Sequence, residues 1–517
     1  MSKIKIFKKK YSYFLLVIVT ASAFNYFSGF RGIFPIDSFL IFDAGYKILN
    51  NFHPFKDYWS ITGPFLDYIQ YIVFKIFGVS WGSYVLHATL INIVLTTVTF
   101  NFFSKLGLNK NFSLLYAVSI AILGYPSVGT PFMDHHATIL SLIALMTLIL
   151  ALKDNNSFYW FCVPLFLGFS FFSKQIPSIY LGFLFLLIIF SYLVILKFKQ
   201  TKFLIFILYG LISFLLLVFF VVFINDIPIK NIIIQYISYP MSIGVERSDV
   251  LKFGLKNTIL QFKFIYLSLI PLLIASFYLI KIKKKNYRNK IDIIIFSSVL
   301  FASFLFIYSQ LMTKNQILIF FLIPFCAGMG HYFLINYFNS QKLIYFLIFI
   351  IIISTIKFHL RFNIDKKFME LNNIDIGLAI DGKKIHPQFS GLKWITPNYP
   401  TNPMKEVFLL KKTEELINRE NRRKIIISDY QFLPYILNLK HFAPNKWFDN
   451  LSVPNKKSVF FEKYKFFFTN KLKEQKVKII FIIGKNKMSY LDKVFIDNCF
   501  TKEDINEITF KLDISNC

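Results

Sequence analysis

Three short polar groups interrupt an otherwise apolar chain, and each holds residue types able to act on a substrate. The first is the stretch from Asp37 to Asp67, which carries Asp37, Asp43, Asp57 and Asp67, with Lys47 and Lys56 among them. The second is Met133-Asp134-His135-His136 and the third is Ser173-Lys174-Gln175. A carboxylate at an apolar boundary has a raised pKa, which makes it a better general base toward an incoming hydroxyl. A lysine near a membrane surface can hold a phosphate as a point charge. Arg247, next to Glu246, can add a further phosphate clamp. Charge beside an apolar slab is costly and is usually retained for a reason.

Each group also has a plainer reading. The Asp37 stretch can be an ordinary solvated loop between two spans. Asp134 can cap a helix that begins at Ala137, since Asp favours such positions. Lys174 can simply snorkel to the interface. His135 and His136 invite a metal, but adjacent residues point to different faces of a helix, so one ion rarely takes both. His331 reads as a span residue with a local partner.

The elements that must position these residues follow from hydropathy. The 517 residues are 55% hydrophobic and 19% aromatic, with mean hydropathy +0.54. A soluble protein of this length has no need of so much apolar surface. Apolar runs recur from Tyr11 to Phe358 and then stop. The fold class is therefore an α-helical polytopic membrane protein with about eleven spans, followed by a soluble α/β domain. The first span is Tyr11 to Phe30, reading as an uncleaved anchor after the basic N-terminus. Phe65 to Phe77 is a half-span or surface helix, and the remaining spans run from Trp81 to Phe358. Phe112 to Tyr125 and Phe158 to Phe172 are the short members. Asp37, Ile41, Ala44 and Ile48 share a face at helical spacing, which predicts a surface helix within Asp37 to Phe52 with Asp37 aimed inward. Asp43 falls on another face.

Loop charge sets the orientation. With the N-terminus cytoplasmic, Lys105, Lys110, Lys153, Lys197, Lys281 and Lys342 lie in almost purely basic inside loops, as the positive-inside rule expects. The loops holding Asp37, Asp134, Lys174 and Arg247 are then all outside. The domains are a membrane domain over 1–358 and an extracytoplasmic α/β domain over 359–517. In that tail, Met404 to Arg422 has a helical pattern, and Lys424 to Ser428, Val477 to Ile483 and Ile508 to Leu512 read as strands. The net charge of +30 does not argue for nucleic acid, because much of the excess sits in the short inside loops. Of the four cysteines, Cys499 and Cys517 are the only pair able to bridge in a soluble region. Nothing matches a Walker A loop or a GxGxxG motif.

At these residues the chain resembles the GT-C superfamily of membrane glycosyltransferases, and within it the protein mannosyltransferases and bacterial aminoarabinose transferases. The pattern is an acid just after the first span, a surface helix, an aromatic–acid pair, and Gly-Pro before the next helix. Here it appears as Asp37, Ala44-Gly45-Tyr46-Lys47-Ile48-Leu49-Asn50-Asn51, Lys56-Asp57-Tyr58 and Gly63-Pro64-Phe65. It covers roughly the first 200 residues. The resemblance implies inverting transfer of a sugar from a polyprenyl-phosphate donor to an envelope acceptor on the outer face of the plasma membrane. It implies Asp37 as the acceptor-activating base, Asp134 shaping the acceptor side and Lys174 near the lipid phosphate. Asp57, Tyr58, His135 and Arg247 join Lys174 as substrate-binding candidates. Many members carry Asp-Glu where this chain has Asp37-Ser38, so dependence on a divalent metal stays open. The implied partners are the lipid-linked sugar, membrane lipid and the acceptor, with no nucleic acid. The alternatives are an envelope-lipid transporter or flippase, a polysaccharide polymerase or ligase, and a non-catalytic assembly partner. Transporters place charge near the midplane or show repeated halves, whereas this chain keeps its acids at one surface.

Overall fold

The computed structural model describes residues 2–199, 201–249, 254–282, 286–313, 316–484 and 499–517. Among these, nine helices are long and apolar enough to cross a membrane: Ser12–Gly29, Trp81–Leu106, Met133–Asp154, Gln175–Ile195, Lys202–Ile224, Lys263–Lys281, Tyr287–Thr313, Ile317–Tyr337 and Gln341–Ile364. The other two expected spans are helices Lys110–Leu123 and Ser157–Phe171, of 14 and 15 residues. At 1.5 Å per residue they reach about 21–23 Å, yet both run between the two ends of Met133–Asp154: Leu106 meets Lys153 at one end, and Tyr125 and Ser170 meet His136 and Ala137 at the other. Phe65–Phe77 is a helix of 13 residues, too short to span.

The chain forms two compact units. One holds Met1–Gly29, Ala88–Phe219 and Ser248–Asp365, and the other holds Phe30–His87, Phe220–Arg247 and Lys366–Cys517. In the first unit, Met133–Asp154 is the central helix, with its apolar window 100% buried, whereas only 11% of Lys202–Ile224 is covered. Several polar side chains inside this unit are paired. His331 shares a 2.8 Å hydrogen bond with the Tyr116 hydroxyl, and the Asn92 amide donates to the carbonyls of Ala21 and Ala121. Such pairing removes the cost of burying a polar group in an apolar helix bundle.

The second unit is built on a four-stranded sheet in the spatial order Lys424–Ser428, Ile479–Ile483, Thr509–Asp513, Thr501–Asn506. The first pair is parallel and the others are antiparallel. Ile479–Ile483 is buried along its whole length, as befits a central strand of isoleucines and a phenylalanine. The edge strand Thr501–Asn506 carries Lys502, Glu503 and Asp504, all exposed, and charge at an edge discourages pairing with another chain. Helices Pro403–Arg419 and Phe461–Glu474 accompany the sheet. Trp59, Tyr239, Ile425, Phe448, Tyr464 and Ile482 belong to one apolar core. Cys499 and Cys517 form a disulfide.

Lys366 opens the last segment of this unit and is 1% exposed. Burial, reinforced by the Arg31 guanidinium, pulls its ammonium down to about 7. The folded value lies below the unfolded one, so between about pH 7 and pH 10 the unfolded chain binds more protons. Stability from this group therefore rises with pH across that window. The thermal midpoint of the wild type should rise relative to that of Lys366→Met as pH goes from 7 to 9. Parallel curves for the two proteins would contradict this.

Candidate functional site

In the first unit, Asp134 and Lys174 meet. The Lys174 ammonium lies 2.5 Å from Asp134 Oδ1, and the two side chains are 19% and 5% exposed. The local sequence explains how residues 40 apart are brought together. Helix Ser157–Phe171 ends in a turn in which the Lys174 N–H donates to the Ser170 carbonyl at 3.0 Å. Ser170 is fastened to the Met133–Asp154 helix, its hydroxyl bonded to Ser141 and to the Ala137 carbonyl, both at 2.7 Å. Ala137 lies one turn from Asp134, so the serine sets the lysine over the carboxylate. The helix begins at Met133, not at Ala137, and its N-cap Phe132 makes no side-chain cap. Asp134 therefore sits inside the first turn, where the helix dipole favours an anion, and it holds an ammonium, so the plainer reading of it as a cap does not apply.

His135 is fully buried, its ring 4.7 Å from that of Tyr125 and 6.2 Å from that of Phe321. His136 is hydrogen-bonded to the Tyr125 hydroxyl. Among the described residues no three His, Cys, Asp or Glu side chains gather as a ligand set for a metal ion.

Asp37 belongs to the second unit. It lies half-buried in the four-residue helix Pro35–Ser38, and the chain leaves that helix at Phe39 before a second helix, Leu40–Leu49. The continuous helix expected over Asp37 to Phe52 is thus broken. The cause is tertiary: Phe39 is fully buried, with ring contacts to Phe432 at 4.7 Å, Trp81 at 5.7 Å and Trp394 at 6.0 Å. The entry to Asp37 is held too. Gly32 and Ile33 donate to the carbonyls of Lys393 and Ile395 at 3.0 Å, and the Lys393 N–H donates to the Phe30 carbonyl at 2.8 Å. The backbone is thus clamped on both sides of Asp37.

The remaining acids of the first polar stretch are engaged inside this unit. Asp57 accepts a 2.8 Å bond from the His53 N–H and lies 3.9 Å from Lys471, closing the turn at Phe55. Tyr58 is buried, with a long 3.5 Å contact from its hydroxyl to Asp67 and the Lys47 ammonium 5.0 Å over its ring. Asp67 pairs with Lys446 through both oxygens, at 2.7 and 2.8 Å, and Asp43 pairs with Lys47 at 2.7 Å. These four side chains are at most 4% exposed. Burial pushes the carboxyls of Asp43 and Asp67 above the ordinary carboxylate range, with the neighbouring ammonium groups pulling them back. The cavity beside Asp43 and Lys47 is about 10 Å³, room for a single water and far below the few hundred Å³ of a sugar site. These charges hold the fold. Gly45 serves the same packing: a Cβ there would stand 2.7 Å from Gln70 Cγ, so helices Leu40–Leu49 and Phe65–Phe77 approach more closely than alanine permits. Arg247 lies half-buried in the helix Tyr239–Asp249.

The sequence singled out neither Lys446 nor the segment 393–395. Lys446 lies in Pro444-Asn445-Lys446-Trp447, where nothing local marks a buried cation.

No family model matches the chain, and no curated protein matches it. Two solved structures similar to it are the archaeal oligosaccharyltransferase AglB from Archaeoglobus fulgidus, in complex with an inhibitory peptide and a dolichol-phosphate, and ArnT from Cupriavidus metallidurans, bound to undecaprenyl phosphate. The first is 13% identical with TM-score 0.47, over 92% of this chain and 70% of that one. The second is 10% identical with TM-score 0.47, over 96% of this chain and 97% of that one.

Proposed function

We propose that the chain is an inverting glycosyltransferase that moves a sugar from a polyprenyl-phosphate donor to an envelope acceptor on the outer face of the plasma membrane. The observation that carries this reading is the Asp134–Lys174 pair, an ammonium held ready at the N-terminus of the central buried helix. A phosphate arriving there gains the ammonium, while Asp134 keeps the ammonium aimed before the lipid binds.

Asp37 takes the proton of the acceptor hydroxyl as its oxygen attacks the sugar C1 from the face opposite the phosphate. The bond from C1 to the phosphate oxygen breaks, and the polyprenyl phosphate leaves with the bonding electrons. Lys174 holds the charge that develops on the leaving phosphate. A lipid phosphate is already a good leaving group, so positioning and the exclusion of water supply most of the catalysis. His135 and Arg247 remain candidates for substrate binding, and Asp57 and Tyr58 are assigned to holding the segment that follows Asp37.

Lys174→Met should raise KM for the lipid-phosphate donor by at least tenfold, and Lys174→Arg should recover part of the loss. Unchanged donor KM in Lys174→Met would remove the phosphate-holding role. The proposed orientation puts the N-terminus in the cytoplasm and the segment from Lys366 to Cys517 outside. The Cys499–Cys517 disulfide supports it, since such bonds persist in oxidising compartments. A membrane-impermeant thiol reagent applied to intact cells after mild reduction should label both cysteines. Labelling only after the cells are opened would reverse the orientation.

A further inference from the structure

The first unit holds a cavity of about 600 Å³ between helices Trp81–Leu106, Met133–Asp154 and Ser157–Phe171, within the size range of small-molecule sites. Its lining mixes two chemistries: Lys105, Asn101 and Tyr159 are polar, and Phe102, Met146 and Phe166 are apolar. None of its lining residues is acidic. Lys105 is exposed, hydrogen-bonded to the Tyr159 hydroxyl and set 4.8 Å over its ring. On the Met133–Asp154 helix the cavity faces Ile143 to Leu150, roughly 14–24 Å along the axis from Asp134. It is therefore separate from the Asp134–Lys174 pair.

We propose that this cavity binds an anionic glycerophospholipid of the surrounding membrane. The head-group phosphate sits against Lys105, with Asn101 and Tyr159 as further donors, and an acyl chain packs against the apolar lining residues. The absence of any lining carboxylate suits an anion, and a single cation beside amide and hydroxyl donors suits one phosphate. Basic pockets between membrane helices on the cytoplasmic side bind anionic head groups in this way. The loop charge pattern places Lys105 on that side, opposite to the proposed transfer chemistry. The site is thus a second lipid site, distinct from that of the donor.

The test is retention of lipid by the purified full chain in neutral detergent, read by native mass spectrometry with phosphatidylglycerol and phosphatidylcholine supplied equally. Wild type should retain phosphatidylglycerol in preference. Lys105→Ala should lower that retention roughly fivefold, the effect of about one basic residue at an anionic lipid surface. Lys105→Arg should restore it, and Met146→Trp, which takes up cavity volume, should lower retention of both lipids. Asp37→Asn should leave retention unchanged, which separates this proposal from the assignment of the transfer reaction. Equal retention of the two lipids, or no change in Lys105→Ala, would overturn it. So would displacement of phosphatidylglycerol by an equal amount of polyprenyl phosphate, which would assign the cavity to the donor.

Discussion

Asp37→Asn is expected to lower sugar transfer by about 10²–10⁴-fold, the usual contribution of a positioned general base. The protein should still be made and extracted in normal amount. The segment around Asp37 is held by the Phe39 ring contacts and by backbone bonds to Lys393 and Ile395. None of these needs the carboxylate charge. Asparagine keeps the size of the side chain and removes only its ability to take a proton. The effect should appear in kcat, because the base acts in the transition state, with little change in donor KM. Lys174→Met should raise donor KM as well as lower kcat, since the ammonium holds the phosphate both before and during transfer, and the KM effect separates phosphate holding from proton transfer. Normal turnover by Asp37→Asn would end the assignment of Asp37 as the base.

Lys446→Met should be severely destabilising, by about 3–5 kcal/mol, the typical cost of removing one partner from a buried ion pair. The Asp67 carboxylate would be left fully buried without the two short bonds it now accepts. Asp67→Leu combined with Lys446→Met should recover most of the loss, since replacing both partners by apolar groups is often close to neutral. The check is a double-mutant cycle on thermal midpoints in one detergent at one scan rate. Losses in the two single variants that add in the double would show that the charges do not interact as the geometry requires. Activity in the double variant would also show whether the pair serves only the fold.

These two predictions draw on different levels of legibility in the chain. The membrane helices could be read from hydropathy, and the bounds of Met133–Asp154 and Gln175–Ile195 fall within a few residues of the apolar runs. The strand Lys424–Ser428 was readable because a run of three isoleucines between polar residues favours a buried pleat. The pairing of Asp134 with Lys174 was not readable as a contact. Only their common end of the spans was, through the alternation of loop charge. The break at Phe39 was invisible because helical spacing continues through it. The aromatic partners that force the break, Trp394 and Phe432, lie more than 350 residues away. The Asp67–Lys446 pair spans 379 residues for the same reason. Thr501–Asn506 escaped notice as a strand because an exposed edge strand has no apolar alternation to reveal it.

The transfer reaction itself gives the most direct test. Membranes containing the chain would receive a polyprenyl phosphate carrying a labelled sugar, and the fate of the label would be followed by mass spectrometry. The account predicts that the label leaves the lipid phosphate, appears on an envelope acceptor with inverted anomeric configuration, and stays on the carrier when Asp37 is replaced by asparagine. Label that remains on its carrier while the carrier crosses the bilayer would contradict the account and make the chain a lipid transporter.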